Sequence, residues 1–267
     1  MSISISGKTA IVTGAANGVG LAIARHFVDE GANVVFADRN EEALEREAGQ
    51  LVTDGGPVRI FAADLREKLS VTNLLSATVD AFDGIDILVN AARLVVDTDP
   101  LDPEDDTVGR LLEQNAMSAL RLSQATARRM IKLAEGREDG PVGAIVNLSS
   151  IMGQRSHANL LGLSVASAAI DQITRSLAVA LAPSRIRVNG VAFGSVMSAS
   201  LKAALRDNDA AREAVIRATP LGRIAGPGEV AHAVQYLASD AAAFVTGQIL
   251  NVDGGRTLID ASTITNH

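Results

Sequence analysis

The sequence predicts an α/β protein built on one doubly wound, mostly parallel sheet with helices on both faces. Short apolar runs rich in β-branched residues alternate with longer segments of helical periodicity along the chain. A strand, a glycine-rich turn and a helix open this alternation between Thr9 and Gly31. No repeat, linker or change of composition divides residues 1–267, so a single domain is expected.

The first strand is predicted at Thr9 to Val12, and the first helix ends at Gly31. Glycines in the turn between them let backbone N–H groups come close to a ligand, and a helix N-terminus favours an anion. The glycine spacing is G-x-x-x-G-x-G, which differs from the standard dinucleotide pattern G-x-G-x-x-G. The turn is predicted to bind a diphosphate through five residues: Gly14, Asn17, Gly18, Val19 and Gly20.

An acidic residue closes the second predicted strand, Asn33 to Asp38. Asp38 lies 18 residues beyond Gly20, close to the roughly 20 expected for a carboxylate that binds the ribose of a dinucleotide. A carboxylate here favours NAD(H), whereas the neighbouring Arg39 attracts the extra phosphate of NADP(H). NAD(H) is the expected cofactor and NADP(H) the alternative. A further alternative is that the glycines serve only turns and packing.

The remaining elements continue the alternation of strand and helix. In the parallel sheet that they predict, a ligand lies at the carboxyl ends of the strands. The polar, alanine-rich stretch 195–220 is expected to be a lid over the substrate. The predicted strands are 59–64, 85–90, 143–149, 186–192 and 248–253, and the predicted helices are 69–83, 107–133, 160–181 and 229–238.

Composition argues against several classes of protein. A net charge of −7 disfavours a nucleic-acid partner. The absence of cysteine excludes disulfides and zinc-thiolate sites, and the acidic stretch 97–106 lacks an ordered ligand spacing, so no metal is expected. No apolar run approaches the roughly 18 residues of a membrane span, and no secretory signal is visible, so a cytoplasmic location is the default.

Several motifs together give the chain its resemblance to a known family. They are Thr13-Gly14-x-x-x-Gly18-x-Gly20, Asp64 closing the third strand, Asn115 in the fourth helix, Ile145-Val-Asn-Leu-Ser-Ser150, and the tail from Pro220 to Gly255. With them the chain resembles the short-chain dehydrogenase/reductase family over nearly its full length, and the tail is similar to the acyl-carrier-protein ketoreductase branch. The resemblance implies a Rossmann-type fold and an NAD(P)(H)-dependent oxidoreductase for a small carbonyl or alcohol substrate. It also implies a homotetramer or a mixed oligomer with a related family member.

The resemblance also implies the residues of the site. Ser150 matches the serine that orients the substrate oxygen, and Asn115 matches an asparagine that holds a helix kink and a water chain. His157 lies on the loop that faces the substrate in this family and is a tentative proton donor. Further cofactor-binding positions are Asp64, Leu65, Asn90, Ala91, Gly194 and Ser198.

The family's catalytic pair, Tyr-x-x-x-Lys, is replaced by Leu163 and Ser167. A leucine has no proton to give, and a serine is too short and uncharged to replace the lysine. One hypothesis is a weak or atypical oxidoreductase that uses Ser150 with water or His157. A second is a non-catalytic dinucleotide-binding pseudoenzyme, and a third is non-redox chemistry.

Two more departures from the family lie near the same site. Where the family has Asn-Asn-Ala-Gly, this chain has Asn90-Ala-Ala-Arg93, and where the family has Pro-Gly, it has Phe193 and Gly194. Arg93 either crowds the nucleotide or supplies the cation of the missing lysine, and Phe193 adds bulk. The sequence does not indicate which substrate fits this pocket.

Overall fold

The fold is a seven-stranded parallel sheet, seen in a computed structural model that describes residues 2–198, 201–202, 205–206 and 208–259. The strands are β1 Thr9–Thr13, β2 Asn33–Asp38, β3 Val58–Ala62, β4 Ile87–Asn90, β5 Gly143–Ser150, β6 Ile186–Phe193 and β7 Ile249–Val252. Their order in the sheet is β3-β2-β1-β4-β5-β6-β7, and each neighbouring pair is parallel. Because the order reverses direction between β1 and β4, a crevice opens there at the carboxyl edge of the sheet.

Helices cover both faces of the sheet. They are α1 Gly18–Asp29, α2 Glu41–Ala48, α3 Lys68–Phe82, α4 Thr107–Leu111, α5 Ser118–Leu133, α6 Leu161–Leu181, α7 Asp209–Arg217 and α8 Pro227–Ala238. One buried cluster joins the sheet to α1, α2 and α8, and the other joins it to α3, α5 and α6. The predicted single-domain, doubly wound fold is confirmed.

Strand β1 shows how the sequence places the sheet between these two layers. All five of its residues are buried. Ala10 and Val12 belong to the cluster with α1, and Ile11 belongs to the opposite cluster. Alternate side chains of a strand point to opposite faces, so an apolar run without polar gaps is what a strand covered on both sides requires.

Helix α2 was missed by the sequence analysis. Only Ala43, Leu44 and Ala48 are buried among its eight residues, so its apolar periodicity is weak. The helix begins with Asn40, whose side-chain oxygen accepts a hydrogen bond from the backbone N–H of Ala43 at 3.0 Å. This cap and three buried contacts are enough to hold a short helix against β2 and β3.

The segment 107–133, predicted as one helix, is helical throughout but not uniformly α-helical. A π-helical segment, Leu112–Met117, joins α4 to α5. π-Helical turns are rare in proteins, and those that occur often lie at functional sites. Asn115 lies within this segment, next to the carboxyl edge of the sheet.

One helix meets the length and composition of a membrane span, although Asp171 and Arg175 interrupt its apolar run. Residues Ala158–Ser184 form a helical stretch long and apolar enough to span a membrane, with mean hydropathy 1.2. Helix α6, which makes up most of this stretch, packs against β5 and β6. Its apolar composition follows from that packing, because one side of the helix is buried on the sheet.

Candidate functional site

A cleft of about 790 Å³ opens at the carboxyl ends of β1, β2, β4, β5 and β6, and it brings together most of the predicted site residues. Only Asn115 and Ser167 of the predicted set lie outside its lining. The predicted residues that line it are Gly14, Asn17, Gly18, Val19, Gly20, Asp38, Arg39, Asp64, Leu65, Asn90, Ala91, Ser150, His157, Leu163, Gly194 and Ser198.

The glycine turn is packed on its inner side and open on its outer side. A Cβ atom at Gly20 would lie 2.2 Å from the backbone oxygen of Gly14, and one at Gly14 would lie 2.7 Å from the Cα of Ala92. A Cβ atom at Gly18 would meet no atom within 4 Å. The turn thus holds β1, α1 and the residues after β4 in close contact, and its outer side faces free space in the cleft.

The Asp38 carboxylate braces the glycine turn at the end of β2. Its Oδ2 accepts a hydrogen bond from the backbone N–H of Ala16 at 3.2 Å, and its Oδ1 accepts one from Asn40 at 3.0 Å. Arg39 is exposed on the rim beside it. A carboxylate oxygen accepts more than one hydrogen bond, so Asp38 retains capacity for a hydroxyl donor in the cleft.

Asp64 lies two residues beyond the end of β3 and forms an ion pair with Arg66. Its carboxylate accepts hydrogen bonds from the backbone N–H and the Nε of Arg66, both at 3.0 Å. These bonds hold the pKa of the Asp64 carboxyl below its usual value. Arg66 also lines the cleft. The sequence analysis missed it, although its position two residues after the Asp64 acid was a usable signal.

Asn90 fixes the end of β4 from the inside of the protein. Its Nδ2 donates to Ser123 Oγ at 2.9 Å and to Asn147 Oδ1 at 2.8 Å. Asn147 Nδ2 in turn donates to Thr174 Oγ1 at 2.8 Å. This buried chain of hydrogen bonds ties β4 to β5, α5 and α6, so the strand ends that form the cleft are held at fixed spacing.

Asn115 in the π-helical segment holds the loop that follows β4. Its Oδ1 accepts a hydrogen bond from the backbone N–H of Leu94 at 2.7 Å, and its Nδ2 donates to the Leu94 oxygen at 2.8 Å. The family resemblance implied a helix kink at this residue, and the chain has a π-helical irregularity there. Asn115 positions the Arg93 region and does not itself line the cleft.

Ser150 ends β5, and His157 lies on the loop that follows; both line the cleft. Ser150 Oγ accepts a hydrogen bond from the backbone N–H of Met152 at 3.3 Å. His157 is exposed on the rim, and its Nδ1 accepts a hydrogen bond from the backbone N–H of Asn159 at 3.3 Å. That bond favours the neutral tautomer with the proton on Nε2, the nitrogen left free to donate.

Leu163 and Ser167, which the family resemblance matches to the catalytic tyrosine and lysine, lie one turn apart on α6. Leu163 lines the cleft and is 5% exposed. Ser167 is buried, and its Oγ donates to the backbone oxygen of Leu163 at 2.7 Å. Asp171, one turn further, lies outside the cleft lining, and burial raises the pKa of its carboxyl. Leu163 and Ser167 therefore bring no proton donor and no cation to the cleft.

Arg93 and Phe193, the two other departures from the family, contact each other. The Arg93 Cζ lies 4.3 Å from the centroid of the Phe193 ring, and Arg93 Nη1 donates to the backbone oxygen of Ser149 at 3.3 Å. Burial lowers the pKa of Arg93 to about 10, so the side chain is protonated at neutral pH. This cation lines the same cleft as Ser150 and Leu163.

Arg256 is a second arginine of the lining that sequence reasoning missed. Its Nη1 donates to Ser195 Oγ at 2.7 Å. It directly follows Gly255, where the family-like tail ends, and no spacing in the sequence connects it to the cleft. Four arginines and two aspartates line the cleft of a chain whose net charge is −7. This local excess of positive charge suits an anionic ligand.

Comparisons with known proteins agree over nearly the whole chain. A family model described as enoyl-(acyl carrier protein) reductase matches residues 14–257. The 3-oxoacyl-(acyl-carrier-protein) reductase FabG of Vibrio cholerae serotype O1 is 34% identical over 96% of this chain and 100% of its own length. Cis-4-hydroxycyclohexanecarboxylate dehydrogenase of Sinomonas cyclohexanicum is 38% identical over 94% of this chain and 97% of its own length.

The solved structures show the same relationship. A gluconate 5-dehydrogenase from Burkholderia cenocepacia J2315, in complex with NADP and tartrate, has a TM-score of 0.85 and 30% identity. The match covers 97% of this chain and 98% of that protein. The parallel sheet, the glycine turn at its reversal point and these matches lead to one conclusion. The chain belongs to the short-chain dehydrogenase/reductase family of oxidoreductases, which bind a nicotinamide dinucleotide and act on small molecules, and it resembles the FabG branch.

Proposed function

We propose that this chain is an NAD(P)(H)-dependent oxidoreductase that interconverts a small carbonyl compound and its alcohol, with weak or atypical activity. The observation that carries this proposal is that the glycine turn, Asp38 and Ser150 line one continuous cleft. Two relatives support the reaction type, because their names describe a 3-oxoacyl reductase and a dehydrogenase of a hydroxy acid. The low activity follows from Leu163 and Ser167, which lack the groups of the family's catalytic pair.

The residues present fit a dinucleotide. The outer side of the glycine turn faces free space at Gly18, and α1 begins there, so backbone N–H groups and the helix N-terminus would hold the diphosphate. Asp38, at the end of β2, would accept hydrogen bonds from the adenosine ribose. The cleft then continues past β4 to Ser150 and Phe193, and its volume of about 790 Å³ accommodates a ligand of this length.

The chemistry at the far end of the cleft depends on few groups. A bound nicotinamide supplies or accepts the hydride. Ser150 Oγ would donate a hydrogen bond to the substrate oxygen and hold it in place. Water or the Nε2–H of His157 would supply the proton that the family's tyrosine supplies elsewhere. A proton donor on an exposed rim is poorly positioned, so we expect slow turnover.

A non-catalytic dinucleotide-binding role is the second candidate. The hydroxyl of Ser167 is bonded to its own helix, and Leu163 places an apolar side chain where the acid belongs. Such a chain would bind the nucleotide as a pseudoenzyme or as a subunit of a mixed oligomer. The homotetramer, the cytoplasmic location and the lid at 195–220 remain proposals drawn from the resemblance and the sequence. Residues 199, 200, 203, 204 and 207 of that lid lie outside the described residues.

We expect the protein to bind NADH more tightly than NADPH, and Asp38→Asn to reduce this preference. The substitution keeps one side-chain oxygen but removes the charge that favours a ribose hydroxyl and repels a phosphate. We expect the NADH Kd to rise about tenfold, because a hydrogen bond to a charged group exceeds a neutral one by about 1.4 kcal/mol. Calorimetric titration with each nucleotide measures both values. Glu41→Gln changes the next acid along the chain, which lies outside the cleft lining, and is the matched control.

The outcomes separate the candidates. Micromolar NADH binding with measurable NADH oxidation by a ketone supports the oxidoreductase. NADH binding of the same affinity, with no measurable NADH oxidation under the same conditions, supports the non-catalytic role. Binding of neither nucleotide contradicts both, and tighter binding of NADPH than NADH contradicts the cofactor preference alone.

A further inference from the structure

We infer that Arg93 is a specificity-determining residue that binds a carboxylate of the substrate, so that the substrates are small oxo acids and hydroxy acids. This inference rests on the proposed function and names the substrate class for the same cleft. Arg93 follows β4 by three residues and lines the cleft between the glycine turn and Ser150.

The guanidinium of Arg93 is held in place, and no counter-ion lies beside it among the residues that the structure describes. The Phe193 ring lies against it at 4.3 Å, and its Nη1 donates to the Ser149 oxygen at 3.3 Å, its one hydrogen bond to a described residue. Within the described residues, no carboxylate oxygen comes within 4.0 Å of an Arg93 nitrogen. An arginine has five N–H donors in a planar fork that matches a carboxylate, so this cation presents unused donors to the cleft.

A partly buried cation without a partner is unfavourable in the free protein. The guanidinium is withdrawn from water far enough to lower its pKa to about 10, and no carboxylate of the described residues raises it again. The three other arginines of the lining differ in their surroundings. Arg66 is paired with Asp64, Arg256 donates to Ser195, and Arg39 is exposed. A ligand anion at Arg93 would supply the missing partner.

The position of Arg93 favours a substrate carboxylate over a dinucleotide phosphate. The sheet order places Asp38 on β2, the glycine turn on β1, Arg93 after β4, Ser150 on β5 and Phe193 on β6. The diphosphate already has a binding place at the glycine turn and the N-terminus of α1. Arg93 is bonded to the residue before Ser150, so an acid bound there would have its carbonyl or hydroxyl carbon close to Ser150.

Matched acids and esters test this inference without requiring turnover. The probes are pyruvate and levulinate, each compared with its uncharged methyl ester, and ligand-observed NMR measures their Kd with and without saturating NADH. We expect each acid that binds to do so more tightly than its ester. Arg93→Gln should weaken acid binding at least about tenfold and leave the esters unchanged, because a charge-assisted bidentate pair is lost. Arg93→Lys should retain part of the preference.

Controls separate this inference from the proposed function. Arg128→Gln removes an exposed arginine of α5 outside the cleft lining and should leave acid binding unchanged. Calorimetry with NADH on the Arg93 variants should show less than a twofold change, and their melting temperatures report on folding. Loss of NADH affinity with unchanged acid binding would assign Arg93 to a nucleotide phosphate and overturn the inference. Equal binding of acids and esters by the unsubstituted protein would overturn it as well.

Discussion

Replacing Leu163 by Tyr and Ser167 by Lys together should raise kcat for reduction of a simple ketone by NADH by about 10² to 10⁴. Leu163 lines the cleft, so a tyrosine hydroxyl at this position would reach the reacting oxygen. A lysine one turn along α6 would lower the pKa of that hydroxyl and bind the nucleotide ribose. The bond from Ser167 to the Leu163 oxygen is lost, but that oxygen remains within the helix. Cyclohexanone reduction followed by NADH absorbance measures the change.

The matched control is the variant with Phe at position 163 and Lys at position 167. It has the ring and the cation but lacks the hydroxyl, so it should show none of the gain. If the Tyr and Lys variant binds NADH and is no faster than this control, the missing pair does not limit activity. The cleft would then be rebuilt beyond these two positions, and Arg93 with Phe193 would be the first cause to examine.

Gly20→Ala should destabilise the protein by about 3 kcal/mol and weaken NADH binding about a hundredfold. The new Cβ would lie 2.2 Å from the backbone oxygen of Gly14, and because a Cβ is attached directly to the backbone it cannot rotate away, so the turn and α1 must move apart. Overpacking of a fixed site costs about 1–3 kcal/mol, and losing two charge-assisted N–H contacts accounts for the affinity. Urea denaturation and calorimetry measure the two effects.

Gly228→Ala is the matched control for this substitution. Gly228 lies in the first turn of α8, and a Cβ there would meet no atom within 4 Å. Alanine is the better helix former, so stability should rise by up to about 1 kcal/mol and NADH affinity should not change. If Gly20→Ala behaved like this control, the close packing of the glycine turn would have no role in nucleotide binding.

The sheet could be predicted from the sequence because its signals are local. A strand covered on both sides favours an unbroken apolar run, and β1 and β2 show such runs at residues 10–12 and 34–37. The predicted ends of the strands were less accurate, since Asp64 was placed within the third strand and lies two residues beyond it. Helix α2 was missed because five of its eight residues are polar or exposed, and its three buried residues give only a weak helical pattern.

The sequence predicted most of the residues that line the cleft, but it did not predict how their side chains contact one another. Glycine spacing and strand ends located the lining, because chain order determines which loops meet at the reversal of a sheet. The stacking of Arg93 on Phe193 joins residues 100 positions apart, and no periodicity reports such a pair. The hydrogen bonds of Ser167 and His157 to nearby backbone atoms depend on rotamers, which the sequence does not determine.

The contact between Arg93 and Phe193 makes these two positions epistatic. The ring supports the guanidinium, so Phe193→Pro alone would leave a charged side chain in the cleft without its stacking partner. Arg93→Gly alone removes the charge and leaves the Phe193 side chain, which is buried to all but 5% of its surface. We therefore expect the protein to tolerate the two substitutions toward the family's sequence in one order, with Arg93→Gly made before Phe193→Pro.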